Sequence, residues 1–228
     1  MNMILAGDGH ANIIHNEKGS LIDKKTELYD IVITNIPFSL PINDKVEGVI
    51  YSIASKNGNS ICVQHCIDSL KKQKNSRAAI IVPEQFVFDN SCKETREWIL
   101  KTWNVFVVSL PQGVFLPYTI AKSCILFLEY TFLPQGGKLE FLKLNHVGFT
   151  KNKSKMPISK NELLDYLLNP DEFKKVEINK KDLIMNNFKF KPLIKYFGLS
   201  ISEIFSFAKK KALLISDKNY FEIKVKKR

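Results

Sequence analysis

Hydrophobic and polar positions alternate between two periods along most of this chain. From Tyr29 the residues DIVIT form a short β-branched run that stops at Asn35-Ile36-Pro37-Phe38. A proline cannot donate to a sheet ladder, so the pattern predicts a buried strand that ends there and delivers these four residues to its C-terminal end. The polar, glycine-containing stretch over residues 39–59 predicts a loop. In ICVQHCIDSLKK, Ile61, Cys62, Cys66, Ile67 and Leu70 recur at helical spacing, which predicts an amphipathic helix within residues 59–74 that packs on a sheet. AAIIVP predicts a second strand, again stopped by proline. ETREWILKTW predicts a second helix, with Trp98, Ile99 and Leu100 beside charged positions, and VFVVSLP (residues 105–111) a third strand. SCILFLEY and LEFLKL follow, separated by LPQGGK, and predict an antiparallel pair that turns at Gly136-Gly137.

Strand, helix, strand, helix, strand and then antiparallel strands predicts an α/β fold. It reads as a partial Rossmann-like sheet of parallel strands plus an antiparallel edge hairpin, one half of a doubly wound architecture. Beyond Phe149 the chain becomes rich in Lys and Asn, with a helix-like NELLDYLL. The expected division is therefore residues 1–149 as the α/β unit and 150–228 as a Lys-rich, partly helical tail or linker region. No internal repeat is visible.

Composition narrows the picture only a little. With 45% hydrophobic and 25% charged residues over 228 positions, the chain can bury a real core, and general disorder is excluded. Lys and Arg number 34 against 23 Asp and Glu, a formal net charge of +11 that permits a polyanionic partner. Lysines scattered among Asn and Ile fit a solvated surface equally well. Cys62, His65 and Cys66 share a helical neighbourhood, but a structural zinc wants a second ligand pair and none is apparent. Buried reduced thiols are the reading that remains, and no metal is expected. No run approaches the ~20 apolar residues of a membrane span, and the first residues lack the features of a secretory signal, so a cytoplasmic, membrane-free protein is expected.

Asn35-Ile36-Pro37-Phe38 resembles the Asn/Asp-Pro-Pro-Tyr/Phe motif of enzymes that methylate exocyclic amino groups. In order after it come AAIIVPEQFVF, TREWIL, VVSLPQGVFLPYTIAKSCILFLE and LNHVGFTKNKSKMPI. The series is similar to the modification subunit of type I restriction-modification systems over roughly Met1 to Leu168, and the opening MNMILAGDGHANI resembles the stretch after that family's first cofactor helix. The resemblance implies an adenine-specific N6 DNA methyltransferase that uses S-adenosylmethionine. It assigns the Asn35 side-chain oxygen and the Ile36 carbonyl as acceptors that orient the amine, Pro37 as the stiffener of the loop, and Phe38 as the ring that stacks on a flipped base. Double-stranded DNA, a DNA-specificity subunit and a restriction subunit are the partners it implies.

Three departures bear on activity, one of them Ile36 in place of the family's commoner first proline, which is tolerable because the contact assigned there uses a backbone carbonyl. The family's glycine-rich cofactor turn, which follows its first strand, has no counterpart before Asn35, so cofactor-binding residues are unassigned. Lys18-Gly19-Ser20-Leu21 stands where the family has Gly-Asp-Ser/Thr-Leu, without the carboxylate. The resemblance therefore implies a truncated or split methylase that depends on a missing, separately encoded N-terminal half, with DIVIT as an exposed apolar edge. The alternative is a non-catalytic remnant that keeps a DNA- or protein-interaction surface.

Overall fold

The computed structural model describes residues 15–17, 19–42, 46, 49–132 and 137–191. Its elements run β1 (Ile31–Asn35), α1 (Gly58–Asp68), β2 (Arg77–Pro83), α2 (Gln85–Phe88), α3 (Lys93–Ile99), β3 (Trp103–Ser109), β4 (Ser123–Tyr130), β5 (Leu139–Lys143), β6 (Val147–Phe149), β7 (Pro157–Asn161), α4 (Glu162–Leu168), β8 (Val176–Glu177) and α5 (Lys180–Met185). Six strands form one sheet in the order β1-β2-β4-β3-β5-β8, and β6 pairs with β7 as a separate hairpin. β1 with β2 and β3 with β5 are parallel, while β4 is antiparallel to both its neighbours and β8 to β5. The mixed α/β sheet expected from the pattern is present.

Its strand order corrects one expectation. Ser123–Tyr130 and Leu139–Lys143 do not form a hairpin, because β4 lies between β2 and β3 and β5 lies beyond β3. β4 buries Cys124, Leu126 and Leu128 on one face and half-buries Ile125 and Phe127 on the other. A strand that is apolar on both faces gains most at the centre of a sheet, where both faces are covered. Backbone contacts also steer the connection past β3: Gly137 N–H donates to the Leu100 carbonyl at 2.7 Å, and a Cβ on Gly137 would lie 1.7 Å from the Trp103 carbonyl oxygen.

α1 starts where the Asn57 side chain accepts from the Asn59 and Ser60 amides, a side-chain N-cap. It ends at Asp68, short of residue 74, because the Ser69 hydroxyl donates to the His65 carbonyl at 2.6 Å and Lys71 N–H turns away to the Tyr29 carbonyl at 2.9 Å. The helix is buried nearly all round, polar residues included. Gln64 pays for its burial by accepting from Ile53 N–H at 2.7 Å and donating to the Ile53 carbonyl at 2.9 Å.

One face of the sheet carries the main core, which includes Ile36, Val63, Ile67, Ile80, Val82, Phe86 and Leu126. The other face is covered unevenly. Val108 and Leu142 are buried there with Phe106, Phe127, Tyr166 and Phe173 packed round them. Following the register across to β1, Phe127 aligns with Ala79 and Ala79 with Ile33, and cover is lost on the way: Phe127 and Ala79 are half-buried, while Ile33 is 79% exposed. The buried strand expected at DIVIT is thus a terminal strand with Ile31 and Ile33 open, which matches the apolar edge also expected there.

Residues past Thr150 contribute to the same structure through β8 and through Ile178, Leu183 and Phe190 in the main core. Their last turn is held by Arg96, a fully buried side chain that the sequence analysis did not single out. Its Nε donates to the Phe188 carbonyl at 2.6 Å, and its Nη1 to the carbonyls of Phe86 at 2.7 Å and Asp89 at 2.8 Å. Burial pulls the guanidinium down from its ordinary range to about 10, the three carbonyl dipoles standing in for a carboxylate. Residues 1–14, Lys18, Gly136 and the segment from 192 onward, where several of the expectations above fall, lie outside the described residues.

Candidate active site

The C-terminal ends of β1, β2 and β3 and the start of the antiparallel β4 meet at one edge of the sheet, where loops after parallel strands ordinarily build sites. Asn35 closes β1 with its side chain exposed. Ile36 follows, buried, with its amide donating to the Ile81 carbonyl at 3.2 Å, so that the strand end is fixed to β2. Pro37 is exposed and removes the next donor. Among the described residues neither the Asn35 carboxamide nor the Ile36 carbonyl has a hydrogen-bond partner, which leaves two acceptors free at the strand end.

Phe38 is half-buried, not enclosed by the core. Its ring meets that of Phe115 edge to face, with centroids 6.0 Å apart and planes at 87°. Ser39, immediately after it, takes φ 59°, a left-handed conformation that turns the chain back toward α1. There Leu40 packs so closely on Gly58 that a Cβ at residue 58 would lie 2.2 Å from the Leu40 carbonyl oxygen. Phe115 belongs to the connection between β3 and β4, residues 110–122. It was not singled out from sequence; the only available signal was its place in the segment that follows the third strand.

Around this centre, Glu84 at the end of β2 is held by Lys122 at 2.8 Å and Lys191 at 3.6 Å, joining the strand ends to the last described residues. On the far side of α1, His65 Nδ1 lies 3.2 Å from the Tyr51 hydroxyl, which donates to the Leu21 carbonyl at 2.7 Å. Burial lowers the His65 pKa, with opposing contributions from Asp68 and Lys24. Cys62 and Cys66 are free and buried, and burial pushes their thiols up to about 11 and about 12. They are not thiolates near neutral pH. Among the described residues no cluster of His, Cys, Asp or Glu could hold a metal, and no helix is long and apolar enough to cross a membrane.

S-adenosylmethionine does not fit the described residues. A cofactor turn needs a glycine backbone brought close to the ligand after a strand. The described glycines of positive φ are Gly19, Gly113 and Gly148, none between a strand and a helix that follows it. A groove of about 470 Å3 beside the N-terminus of α1, lined by Ser55, Lys56, Asn57, Asn90, Ser91 and Lys93 among others, offers Glu94 as its one carboxylate and no such turn.

The fold is a mixed α/β sheet whose first described strand ends at Asn35, with Ile36, Pro37 and Phe38 following it. The chain belongs to the N-6 DNA Methylase family, whose profile matches residues 1–176. It is 25% identical over 218 residues to the type I restriction enzyme EcoEI methylase subunit of Escherichia coli, covering 88% of this chain and 44% of that protein. Among solved structures, it resembles a chain of a type I restriction-modification system described for complex assembly and conformational transition (TM-score 0.68, 21% identity, 93% of this chain and 49% of the other). It also resembles the type I restriction-modification methyltransferase subunit of Streptococcus thermophilus (TM-score 0.63, 19% identity, 84% and 43%). The chain thus spans less than half the length of these relatives.

Proposed function

We propose that this chain is the catalytic-face part of a site-specific DNA adenine N6-methyltransferase, a methylase subunit of a type I restriction-modification system. What supports this reading above all is the pair of free acceptors, Asn35 Oδ1 and the Ile36 carbonyl, at the end of a strand and next to an aromatic pair. An exocyclic adenine amine is a weak nucleophile because its lone pair is delocalised into the ring. Two acceptors that take its two N–H groups direct the lone pair out of the ring plane. A base must leave the duplex to reach them, and the rings of Phe38 and Phe115 give it a stacking surface. Pro37 stiffens the step between acceptor and ring.

In this reading S-adenosylmethionine is held by an N-terminal half that docks on β1, whether carried upstream in the same polypeptide or by a second chain. The open Ile31 and Ile33, and the edge of β1 that no described strand covers, fit such a completion. Double-stranded DNA and a DNA-specificity subunit complete the working assembly, with a restriction subunit joining for cleavage.

The test is single-turnover methylation of duplex DNA by the chain combined with an N-terminal half and a specificity subunit. Asn35→Ala should lower the rate about 100- to 1,000-fold, as loss of one preorganised contact commonly does, and leave DNA affinity nearly unchanged, since phosphate contacts dominate it. A variant as fast as the parent refutes the assignment of the site. A parent assembly that binds DNA and S-adenosylmethionine yet transfers no methyl group would establish the remnant reading instead.

A further inference from the structure

The turn between β6 and β7 lies against residues 110–122, the loop that carries Phe115. Lys155 in that turn extends its ammonium to the loop backbone, donating to the Gly113 carbonyl at 2.5 Å and the Val114 carbonyl at 2.7 Å. Among the described residues it has no carboxylate partner, so carbonyl dipoles alone hold the charge.

Three further observations converge on this contact. Lys155 adopts φ 50°, a left-handed conformation that is uncommon for a residue other than glycine and fixes where its side chain leaves the turn. Gly113 sits at φ 83° and starts the turn that the Leu116 amide closes on the Gly113 carbonyl at 3.2 Å, with the Tyr118 and Thr119 amides bonded to the Phe115 carbonyl. The β6–β7 turn is itself held from within: the Thr150 hydroxyl donates to Asn152 Oδ1 at 2.6 Å and accepts from Met156 N–H at 3.0 Å. A braced turn therefore presents a cation to the backbone of a loop whose next residue but one makes half of the aromatic pair.

We propose that Lys155 is a positioning residue for methyl transfer: it clasps the 110–122 loop so that Phe115 stands edge-on to Phe38, and it does not itself touch DNA. The inference rests on the reading of Asn35 to Phe38 given above. Lys151 and Lys153, exposed in the same turn, are the natural controls: they carry the same charge, and although the Lys151 backbone lies beside Gly113, neither ammonium bonds to the loop among the described residues.

The first measurement is hydrogen–deuterium exchange in the full chain and needs no activity. Lys155→Met and Lys155→Gly should each speed exchange of the Leu116, Tyr118 and Thr119 amides by about tenfold, with Lys155→Arg closer to the parent. Glycine is informative because it removes the cost of the positive φ. Protection equal to the parent's in Lys155→Gly overturns the clasp. The second measurement is single-turnover methylation and DNA affinity in the completed assembly. Lys155→Met should slow transfer about 10- to 100-fold, the range for a misplaced site, with DNA affinity and its salt dependence unchanged. Lys151→Gln/Lys153→Gln should leave the rate intact. If Lys155→Met instead weakens DNA binding and flattens the salt dependence at full rate, Lys155 is a phosphate contact and the proposal fails. Asn35→Ala run alongside separates the two readings: full activity there sinks the site assignment, whereas inactive Asn35→Ala with fully active Lys155→Met sinks only the clasp.

Discussion

Replacing Arg96 by methionine tests whether a buried cation holds the last described residues on the domain. Methionine keeps an unbranched stem of similar reach, so the change removes donors without opening a large cavity. Two of the three acceptors, the Phe86 and Phe188 carbonyls, have no other donor among the described residues, while Asp89 keeps the Cys92 amide at 3.3 Å. The four-residue α2 cannot satisfy the Phe86 carbonyl internally, since the last carbonyls of any helix lack intrahelical donors. Each orphaned buried acceptor costs about 1–3 kcal/mol, or about 2–6 kcal/mol for the pair. Against this, Arg96 Nη2 is itself buried without a partner, so losing it offsets about 1–2 kcal/mol. The expected destabilisation is about 3 kcal/mol, two powers of ten in the folded-to-unfolded ratio. Urea unfolding of the full chain measures it. Exchange at the Phe190 amide, which bonds to the Val87 carbonyl at 2.8 Å, should quicken more than exchange in β4. Arg96→Lys should not rescue, because an ammonium lacks the planar fork that reaches three carbonyls. An unfolding free energy for Arg96→Met within about 0.5 kcal/mol of the parent's would refute the reasoning.

Other expectations follow from the same geometry. Gly58→Ala places a methyl group 2.2 Å from the Leu40 carbonyl oxygen, so it should cost about 1–3 kcal/mol and displace residues 38–40, read as lost methylation in the completed assembly and a lower melting temperature. Because the folded His65 has a lowered pKa, the unfolded chain binds more protons as pH falls below about 6.5; stability should therefore drop with acidification from neutral pH, and His65→Gln should reduce that slope in thermal melts. Calorimetry should find the isolated chain binding S-adenosylmethionine more weakly than about 1 μM, since the described residues offer it no glycine turn; tighter binding would contradict that fit. Ile33→Lys should lower self-association of the isolated chain, measured by sedimentation, by charging the open edge of the sheet.

Local patterns were the legible part of this protein. β-branched runs ended by Pro37 and Pro83 located β1 and β2 because a proline acts on its own strand, with no help from elsewhere. Strand order was not legible: the pairing of Ala79 with Phe127 is set by which strand is apolar on both faces once folded. Asn35 to Phe38 could be singled out because chemistry and strand end coincide in four consecutive residues, whereas Phe115 and Lys155 reach that site only through the fold. Arg96 and Lys155 share a further reason. A charge beside other charges reads as solvated surface, and only the position of backbone carbonyls turns it into an internal tie.

Synthesis of the chain meets a difficulty in the place of β4. Pro83 finds its partner at Ser123, and Arg77 at Glu129, so β2 leaves the ribosome long before the strand that will cover its inner edge. At about 5–20 residues per second, several seconds pass in which Ile80 and Val82 lie on a strand whose β4-facing edge is unpaired. The sheet cannot grow outward from one end as translation proceeds; it must wait and close at its middle. Folding of this kind is dominated by distant contacts, which makes it slow and leaves nascent chains prone to pair with one another. The yield of native protein should therefore respond to translation speed and chaperone supply more than to substitutions that stabilise the finished fold.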